Sequence, residues 1–191
     1  MGQRLNLEIV DNREVLANAY YHWSAYTGSA IELTEAAIGA FYDAPADISQ
    51  LGLAVFMLQK TGAGIYSEED CRIAEDATGK FKGIEFRDAR DRNCGLLSVT
   101  KVGIESTEQW EEGRVTINIE DETVDFGVAW TYTADEYNDD MEDDDAFDML
   151  PRYDCQMCGV PIDEFCNIKS AYENHPDGFA DSDGYAVTWI G

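Results

Sequence analysis

The sequence predicts an α+β fold: an antiparallel sheet of about five or six strands, two or three helices packed on one face, and a small cysteine-bearing C-terminal appendage. Strand-like alternation of apolar and polar residues recurs along the chain, and two apolar runs between residues 28 and 62 have helical spacing. A chain of 191 residues that is 45% hydrophobic can bury one good core. We therefore predict a domain over residues 1–150 that ends in an acidic segment (134–148). Residues 151–191 supply a cysteine-rich segment and a closing strand of the same domain.

The first element is a predicted β-hairpin. Leu5, Leu7 and Ile9 alternate with polar residues, and Asp11-Asn12 then provides turn chemistry. A second strand follows from Glu14 to Trp23.

Three helices are predicted next. An amphipathic helix over residues 28–44 stops before Pro45, because proline cannot continue a helix. Asp47 is the expected N-cap of a second, more buried helix that ends near Gly62. A short third helix begins in the acidic turn after Ser67 and ends near Ala77. Residues 94–104 are interpreted as a strand, with Ser106 capping one helical turn before Trp110.

A second predicted hairpin occupies the centre of the chain. In one strand, Val115, Ile117 and Ile119 fall on a single face. The next strand has its own alternating apolar set: Val124, Phe126, Val128 and Trp130. Each strand therefore has one buried face. The alternating stretch at residues 185–191 could close the sheet.

The central hairpin leads directly into an acidic run. Nine of the fourteen residues from 135 to 148 are acidic and none is basic, and these nine are the predicted partner-binding residues: Asp135, Glu136, Asp139, Asp140, Glu142, Asp143, Asp144, Asp145 and Asp148. A helix of this length would span about 21 Å, which gives a charge density comparable to that of duplex DNA. The alternative interpretation is a solvated loop that keeps the protein soluble.

The whole chain is strongly anionic, with a formal net charge of −26. Residues 1–100 carry 15 acids and 9 bases, net −6, whereas residues 101–191 carry 24 acids and 4 bases, net −20. Such a chain is repelled by nucleic acid and by anionic membranes, so basic proteins are its expected partners. The one candidate basic patch, from Lys80 to Arg92, interleaves its bases with acids, which favours a salt-bridged surface over direct contact with nucleic acid.

Cysteine use favours reduced thiols or a metal. The chain has five cysteines, and its N-terminal residues lack the apolar core of a signal peptide, so we expect a cytoplasmic protein. Cys155 and Cys158 form a C-x-x-C-G turn motif, and Cys166 and His175 could complete a tetrahedral zinc site. Buried, reduced cysteines are the alternative.

Catalytic signatures are weak. His22 and His175 are the only histidines, and the candidate nucleophiles Ser24, Cys71 and Cys94 lie in no recognised hydrolase motif. A small hydrolase or transferase that uses His22 and a cysteine remains an alternative, although a structural histidine among tyrosines is favoured. A third possibility is a zinc-stabilised adaptor or regulatory module.

Three stretches carry a family resemblance: GQRLNLEIV, LANAYYHWSAYT and GLLSVTKVGIESTEQWEEGRVTINIEDETVDF. They resemble small acidic proteins from phages and prophages of Firmicutes, a group that includes anti-CRISPR proteins directed against type II Cas9 nucleases. The resemblance assigns no functional residues. Together with the charge, it implies a phage-type inhibitor of a host nucleic-acid-binding defence protein that acts through an acidic, DNA-mimicking surface.

Overall fold

A computed structural model describes residues 4–25, 27–65, 67–78, 95–108, 112–128, 155–165 and 187–189. Within these ranges there are four helices: α1 (Thr27–Asp43), α2 (Gln50–Lys60), α3 (Glu68–Thr78) and α4 (Lys101–Glu108). The strands are β1 (Leu5–Asp11), β2 (Glu14–Tyr21), β3 (Gly64–Ile65), β4 (Leu96–Ser98), β5 (Gly113–Asn118), β6 (Thr123–Val128), β7 (Cys155–Pro161) and β8 (Val187–Trp189). The α+β class predicted from the sequence is confirmed.

The described strands form one sheet in the order β3-β4-β2-β1-β5-β6-β7-β8. The sheet is mixed: β1 pairs with β5, β3 with β4, and β7 with β8 in parallel, while the other neighbours are antiparallel. The sheet is therefore mixed and larger than the antiparallel sheet of about five or six strands that the sequence predicted. Both predicted hairpins are present, but alternation within a strand carries no information about the direction of a neighbour far along the chain.

One face of the sheet forms the apolar core. Leu7 on β1 lies opposite Val115 on β5, and Val115 lies opposite Phe126 on β6; all three side chains are almost fully buried. Burial of a phenylalanine such as Phe126 stabilises the fold by about 1.5–3 kcal/mol. The inward face predicted for the central hairpin is confirmed at these positions.

Helix α2 covers this core face and contacts α1 on one side and α3 on the other. Its N-cap is Ser49, whose Oγ accepts a hydrogen bond from the Gly52 N–H at 3.0 Å, so the prediction that Asp47 caps this helix was wrong. Gly52 has no room for a larger residue, because a Cβ there would lie 2.8 Å from the Ala77 carbonyl oxygen. The close approach of α2 to α3 thus depends on a glycine.

The opposite face of the sheet is polar yet buried. Asn6 and Asn18 are fully buried there, and Glu8 is 3% exposed. Helix α4 lies on this face, where the Thr107 Oγ1 donates to Asn18 Oδ1 at 2.7 Å. The Glu8 carboxylate lies 3.4 Å from an Arg114 guanidinium nitrogen on β5.

Helix α4 corrects two predictions. It lies on the opposite face of the sheet from α2, so the helices are not all on one face. Residues 101–104 are its first turn rather than strand, because the Thr100 Oγ1 accepts a hydrogen bond from the Gly103 N–H at 3.1 Å and caps the helix. Ser106 lies inside the helix and donates to the Gly103 carbonyl at 2.8 Å.

The C-terminal cysteine segment is also placed differently from the prediction. Residues Cys155–Pro161 pair along β6 as a strand of the main sheet, not as an appendage. The turn predicted at Cys155 to Gly159 is absent; a bulge opposite Asp125 occupies this position instead. Gly159 has a φ of 66°, which glycine adopts without strain. The closing strand predicted in residues 185–191 is present as β8.

Candidate functional site

The predicted acidic recognition segment, Asp135 to Asp148, lies outside the described residues. The structure does fix where this stretch leaves and rejoins the sheet. Val128 at the end of β6 is the register partner of Cys155 at the start of β7, so both connections lie at the same end of the sheet. His22 and Trp23 follow β2 at this end, because Tyr21 pairs with Leu5 at the start of β1.

The other end of the sheet carries a second concentration of acidic side chains, which we call the acidic end. It comprises the β1–β2 turn, the β5–β6 turn and the 3-10 turn Ile162–Glu164, with these acidic members: Asp11, Glu14, Glu120, Asp121, Glu122, Asp163 and Glu164. Asp11 is partly exposed and the other six are exposed. The three turns come together because Val10 pairs with Asn118 in parallel and Thr123 pairs with both Asn118 and Pro161.

Local hydrogen bonds fix the backbone of these turns. Asn118 Oδ1 accepts from the N–H groups of Glu120 and Asp121 at 3.1 and 3.3 Å, and its Nδ2 donates to an Asp121 carboxylate oxygen at 2.8 Å. Glu122 has a φ of 52°, and its carbonyl accepts from the Ile162 N–H at 2.9 Å. The carboxylates are therefore carried by an ordered backbone.

The acidic end extends across five neighbouring strands, from β2 to β7. At about 4.8 Å between strands, this width is about 19 Å. Arg13 is the only basic residue in the three turns as described. Like charges held this close raise the local negative potential, which attracts cations and basic surfaces and weakens as salt is added.

A cleft of about 510 Å³ opens beside the acidic end, between α1 and the 3-10 turn. Its described lining combines apolar groups with two carboxylates and one phenol: Glu35, Ile38, Gly39, Tyr42, Ile162, Asp163 and Phe165. The Tyr42 side chain is 57% exposed. No lysine or arginine is among these described lining residues.

His22, the histidine of the enzyme alternative, lies in an exposed aromatic group. Its Nδ1 is 3.2 Å from the Tyr20 hydroxyl, and its ring meets the Trp23 ring edge-on with 5.2 Å between centroids. Burial raises the pKa of the Tyr20 phenol, which keeps it protonated. These contacts orient the ring, and the oxygen beside it is the protonated Tyr20 phenol rather than an ionised nucleophile.

The described candidate thiol does not have the features of a nucleophile either. Cys71 lies on α3, where its Sγ is 3.8 Å from a Glu75 carboxylate oxygen. Burial, followed by the negative charge of Glu75, raises the pKa of this thiol, and a raised pKa lowers the thiolate fraction. Cys94 lies outside the described residues.

The predicted zinc ligands are only partly described. Cys158 is exposed on β7. For Cys155 only the backbone is described, and Cys166 and His175 lie outside the described residues. Where side chains are described, no group of three His, Cys, Asp or Glu residues could hold a metal ion. Zinc binding by the four residues stays a prediction.

The acidic end was not predicted from the sequence. Glu120, Asp121 and Glu122 form a visible signal, since they sit in the turn of a predicted hairpin. Their proximity to Asp163 and Glu164 has no local signal, because it depends on the pairing of β6 with β7.

Comparison with protein-family models, curated proteins and solved structures finds no match to this chain. None of the helices in the described ranges is long and apolar enough to cross a lipid bilayer.

Proposed function

We propose that this protein binds and inhibits a basic nucleic-acid-binding defence protein, most concretely a Cas9-type nuclease, in the cytoplasm of a host cell. Its carboxylates would occupy a groove that normally holds DNA phosphates. The observation that carries the proposal is the acidic end, an ordered anionic surface built from three turns. The acidic segment at residues 134–148 adds a second anionic region.

Charge density supports this proposal. Duplex DNA carries one charge per about 1.7 Å, so a length equal to the acidic end, about 19 Å, carries roughly eleven. The acidic end has seven carboxylates and one arginine over that width, or about half the net density of DNA. The carboxylates of the acidic segment would add to this density.

The chain leaves the sheet before the acidic segment, and returns to it afterwards, at the end of the strands opposite the acidic end. Residues 129–154 connect to the sheet at Val128 and Cys155, whereas the acidic end lies beyond Asn118 and Thr123. A strand of six residues separates the ends by about 20 Å. We propose that a basic groove contacts both anionic regions, because two linked contacts bind more tightly than either alone.

The same charge disfavours other partners. Nucleic acids and anionic membranes are repelled by a net charge of −26. Direct contact with nucleic acid would require the region from Lys80 to Arg92, which lies outside the described residues.

The proposal can be tested with three variants that each remove five negative charges. The segment variant replaces Asp139, Asp140, Asp143, Asp144 and Asp145 by Asn. The acidic-end variant neutralises Asp11, Glu120, Asp121, Glu122 and Glu164 to their amides. The control variant neutralises five exposed acids elsewhere: Glu32, Asp43, Asp47, Glu68 and Glu105. Binding of each to a purified, guide-loaded Cas9-type nuclease is measured at low and high salt, together with competition by target DNA.

We expect the segment and acidic-end variants to associate more slowly and to show a flatter salt dependence, while the control variant stays close to the parent. This is expected because peripheral charges act mainly on the association rate. If all three variants bind equally well at both salt concentrations, the carboxylates serve solubility. Recognition would then lie elsewhere, with the aromatic stretch from Tyr20 to Tyr26 as the next region to test.

A further inference from the structure

We propose that Trp23 receives an arginine side chain of the protein partner, which stacks on the exposed indole ring. This inference rests on the proposed function, because it names a contact through which a basic partner is recognised by more than its charge. The receiving surface is the aromatic group Tyr20, His22 and Trp23. It lies where β2 ends, at the end of the sheet opposite the acidic end.

Trp23 is open to solvent although the chain on both sides of it is anchored. The residue is 58% exposed, whereas Tyr21 before it and Ala25 after it are 5% and 0% exposed. Ala25 lies beside Gly113 on β5, since a Cβ placed on that glycine would be 3.2 Å from the Ala25 Cβ. The indole is therefore held in solvent by a backbone that is fixed before and after it.

Neighbouring rings orient the aromatic group. The Tyr20 hydroxyl lies 3.2 Å from His22 Nδ1, and the ring centroids of His22 and Trp23 are 5.2 Å apart with 81° between the ring planes. Because those planes are nearly perpendicular, His22 does not lie parallel on the indole, where a planar cation would stack. A surface that is already ordered loses less side-chain entropy when it binds.

Arginine is the cationic side chain that fits such a ring best. A cation over the face of an aromatic ring is attracted by the ring quadrupole, and tryptophan is the strongest aromatic residue in this contact. The guanidinium is planar and more weakly hydrated than an ammonium, so it stacks on rings more readily than lysine does. Tryptophan and arginine are also enriched among the residues that dominate binding energy at protein interfaces.

The charge around the group admits a cation and opposes nucleic acid. Burial is the main cause that raises the pKa of the Tyr20 phenol; of the two nearby charged residues, Arg4 lowers this pKa and Glu112 raises it. Since these two charges oppose each other, the net charge of −26 sets the long-range field. A nucleobase also stacks on an indole, but its phosphates are repelled by that field.

The aromatic group lies near the point where the chain leaves the sheet for the acidic segment. Gly113, beside Ala25, is the register partner of Val128, the last residue of β6. The first acidic residue of the segment, Asp135, follows Val128 by seven positions. A basic partner that binds the acidic segment would therefore approach the end of the sheet at which Trp23 is exposed.

The test uses short peptides, so it does not require the partner. Capped tetra-arginine is titrated at low salt into the full-length ¹⁵N-labelled protein while backbone amide and indole N–H shifts are recorded. The indole signal that is lost in Trp23→Phe identifies Trp23. Capped tetra-lysine and a single-stranded oligothymidine are titrated in parallel.

We expect saturable shifts of the Trp23 indole and of the amides of residues 22–25. The dissociation constant for tetra-arginine should be on the order of 0.1–1 mM, and tetra-lysine should bind about two- to fivefold more weakly. Oligothymidine should cause no shift of these signals, because the protein repels its phosphates.

Variants locate the contact. Trp23→Leu keeps an apolar side chain but removes the ring, and should weaken tetra-arginine binding at residues 22–25 by about two- to fivefold. Trp23→Phe keeps a ring face and should retain most of the binding. Val102→Ala is the control, because Val102 is 78% exposed on α4 and carries no ring, so its loss should leave the dissociation constant unchanged.

Four results would overturn the inference. They are equal binding of tetra-lysine and tetra-arginine, equal effects of Trp23→Leu and Val102→Ala, peptide shifts confined to other parts of the protein, or binding of oligothymidine at Trp23. Weaker tetra-arginine binding in Trp23→Leu, with equal nuclease binding by all charge variants, would keep the stacking contact and reject the proposed function. The reverse pattern would keep the proposed function and reject Trp23 as the contact.

Discussion

The Oδ1 atom of Asp70 accepts a hydrogen bond from the backbone N–H of Val99 at 2.6 Å. The same oxygen accepts from the Thr100 N–H at 2.9 Å and from the Ser98 hydroxyl at 3.2 Å, and Asp70 is only 1% exposed. One carboxylate on α3 therefore holds the junction at which β4 ends and α4 begins. Since α4 covers the polar face of the sheet, this contact links the two layers of helices.

The first prediction concerns this junction. Asp70→Asn keeps the side-chain volume but loses the charge and replaces one of the two acceptor oxygens with an N–H₂ donor. We expect unfolding free energy to fall by about 2–3 kcal/mol, measured by urea denaturation. Asp76→Asn on the same helix is the control: its carboxylate is exposed and 3.5 Å from Arg72, so the loss should stay below about 0.5 kcal/mol. Equal losses in the two variants would show that the Asp70 contacts carry no special stability.

The second prediction separates two possible helix caps. Ser49→Ala removes the acceptor for the Gly52 N–H and the donor to the Ala77 carbonyl, a contact of 3.1 Å. It should cost about 1 kcal/mol of unfolding free energy, whereas Asp47→Ala should cost less than about 0.5 kcal/mol. Thermal and urea unfolding of both variants decide the matter. A larger loss for Asp47→Ala would restore the cap predicted from the sequence.

The third prediction concerns metal. If Cys155, Cys158, Cys166 and His175 bind zinc, protein purified without chelator should contain about one equivalent by elemental analysis. A chelator should then accelerate hydrogen exchange in residues 155–191, because metal-binding energy there is also folding energy. Cys158→Ser should lose the metal and Cys71→Ser should keep it. A content well below half an equivalent, not refilled by added zinc, would reject the site.

The fourth prediction concerns catalysis. His22→Ala and Cys94→Ser, made separately, should leave inhibition of the nuclease within about twofold of the parent, provided that each variant folds. In the part of the chain that the structure describes, the exposed His22 ring contacts Tyr20 and Trp23, a set of partners that does not specify a reaction. A loss by orders of magnitude in a folded His22→Ala protein would favour the hydrolase or transferase alternative.

The sequence by itself determined the α+β class, both hairpins and the helices α1 to α3. These elements follow from alternation, helical spacing and turn residues that act within a few positions of one another, as the Asn12 and Arg13 turn illustrates with φ values of 47° and 68°. The net charge and the acidic run at residues 135–148 also follow directly from the sequence.

The tertiary structure alone decided which strands are neighbours, and with them the candidate site. The Arg4 N–H donates to a Glu112 carboxylate oxygen at 2.6 Å, where β1 and β5 begin side by side. The two residues are 108 positions apart in the chain, so no local pattern encodes the contact. The parallel pairing that follows ends with Val10 opposite Asn118, which brings the β1–β2 turn alongside the β5–β6 turn, and the pairing of β6 with β7 adds the turn that carries Asp163. The acidic end and its cleft therefore arise from long-range burial of apolar strand faces, which sets register only once the whole core is assembled.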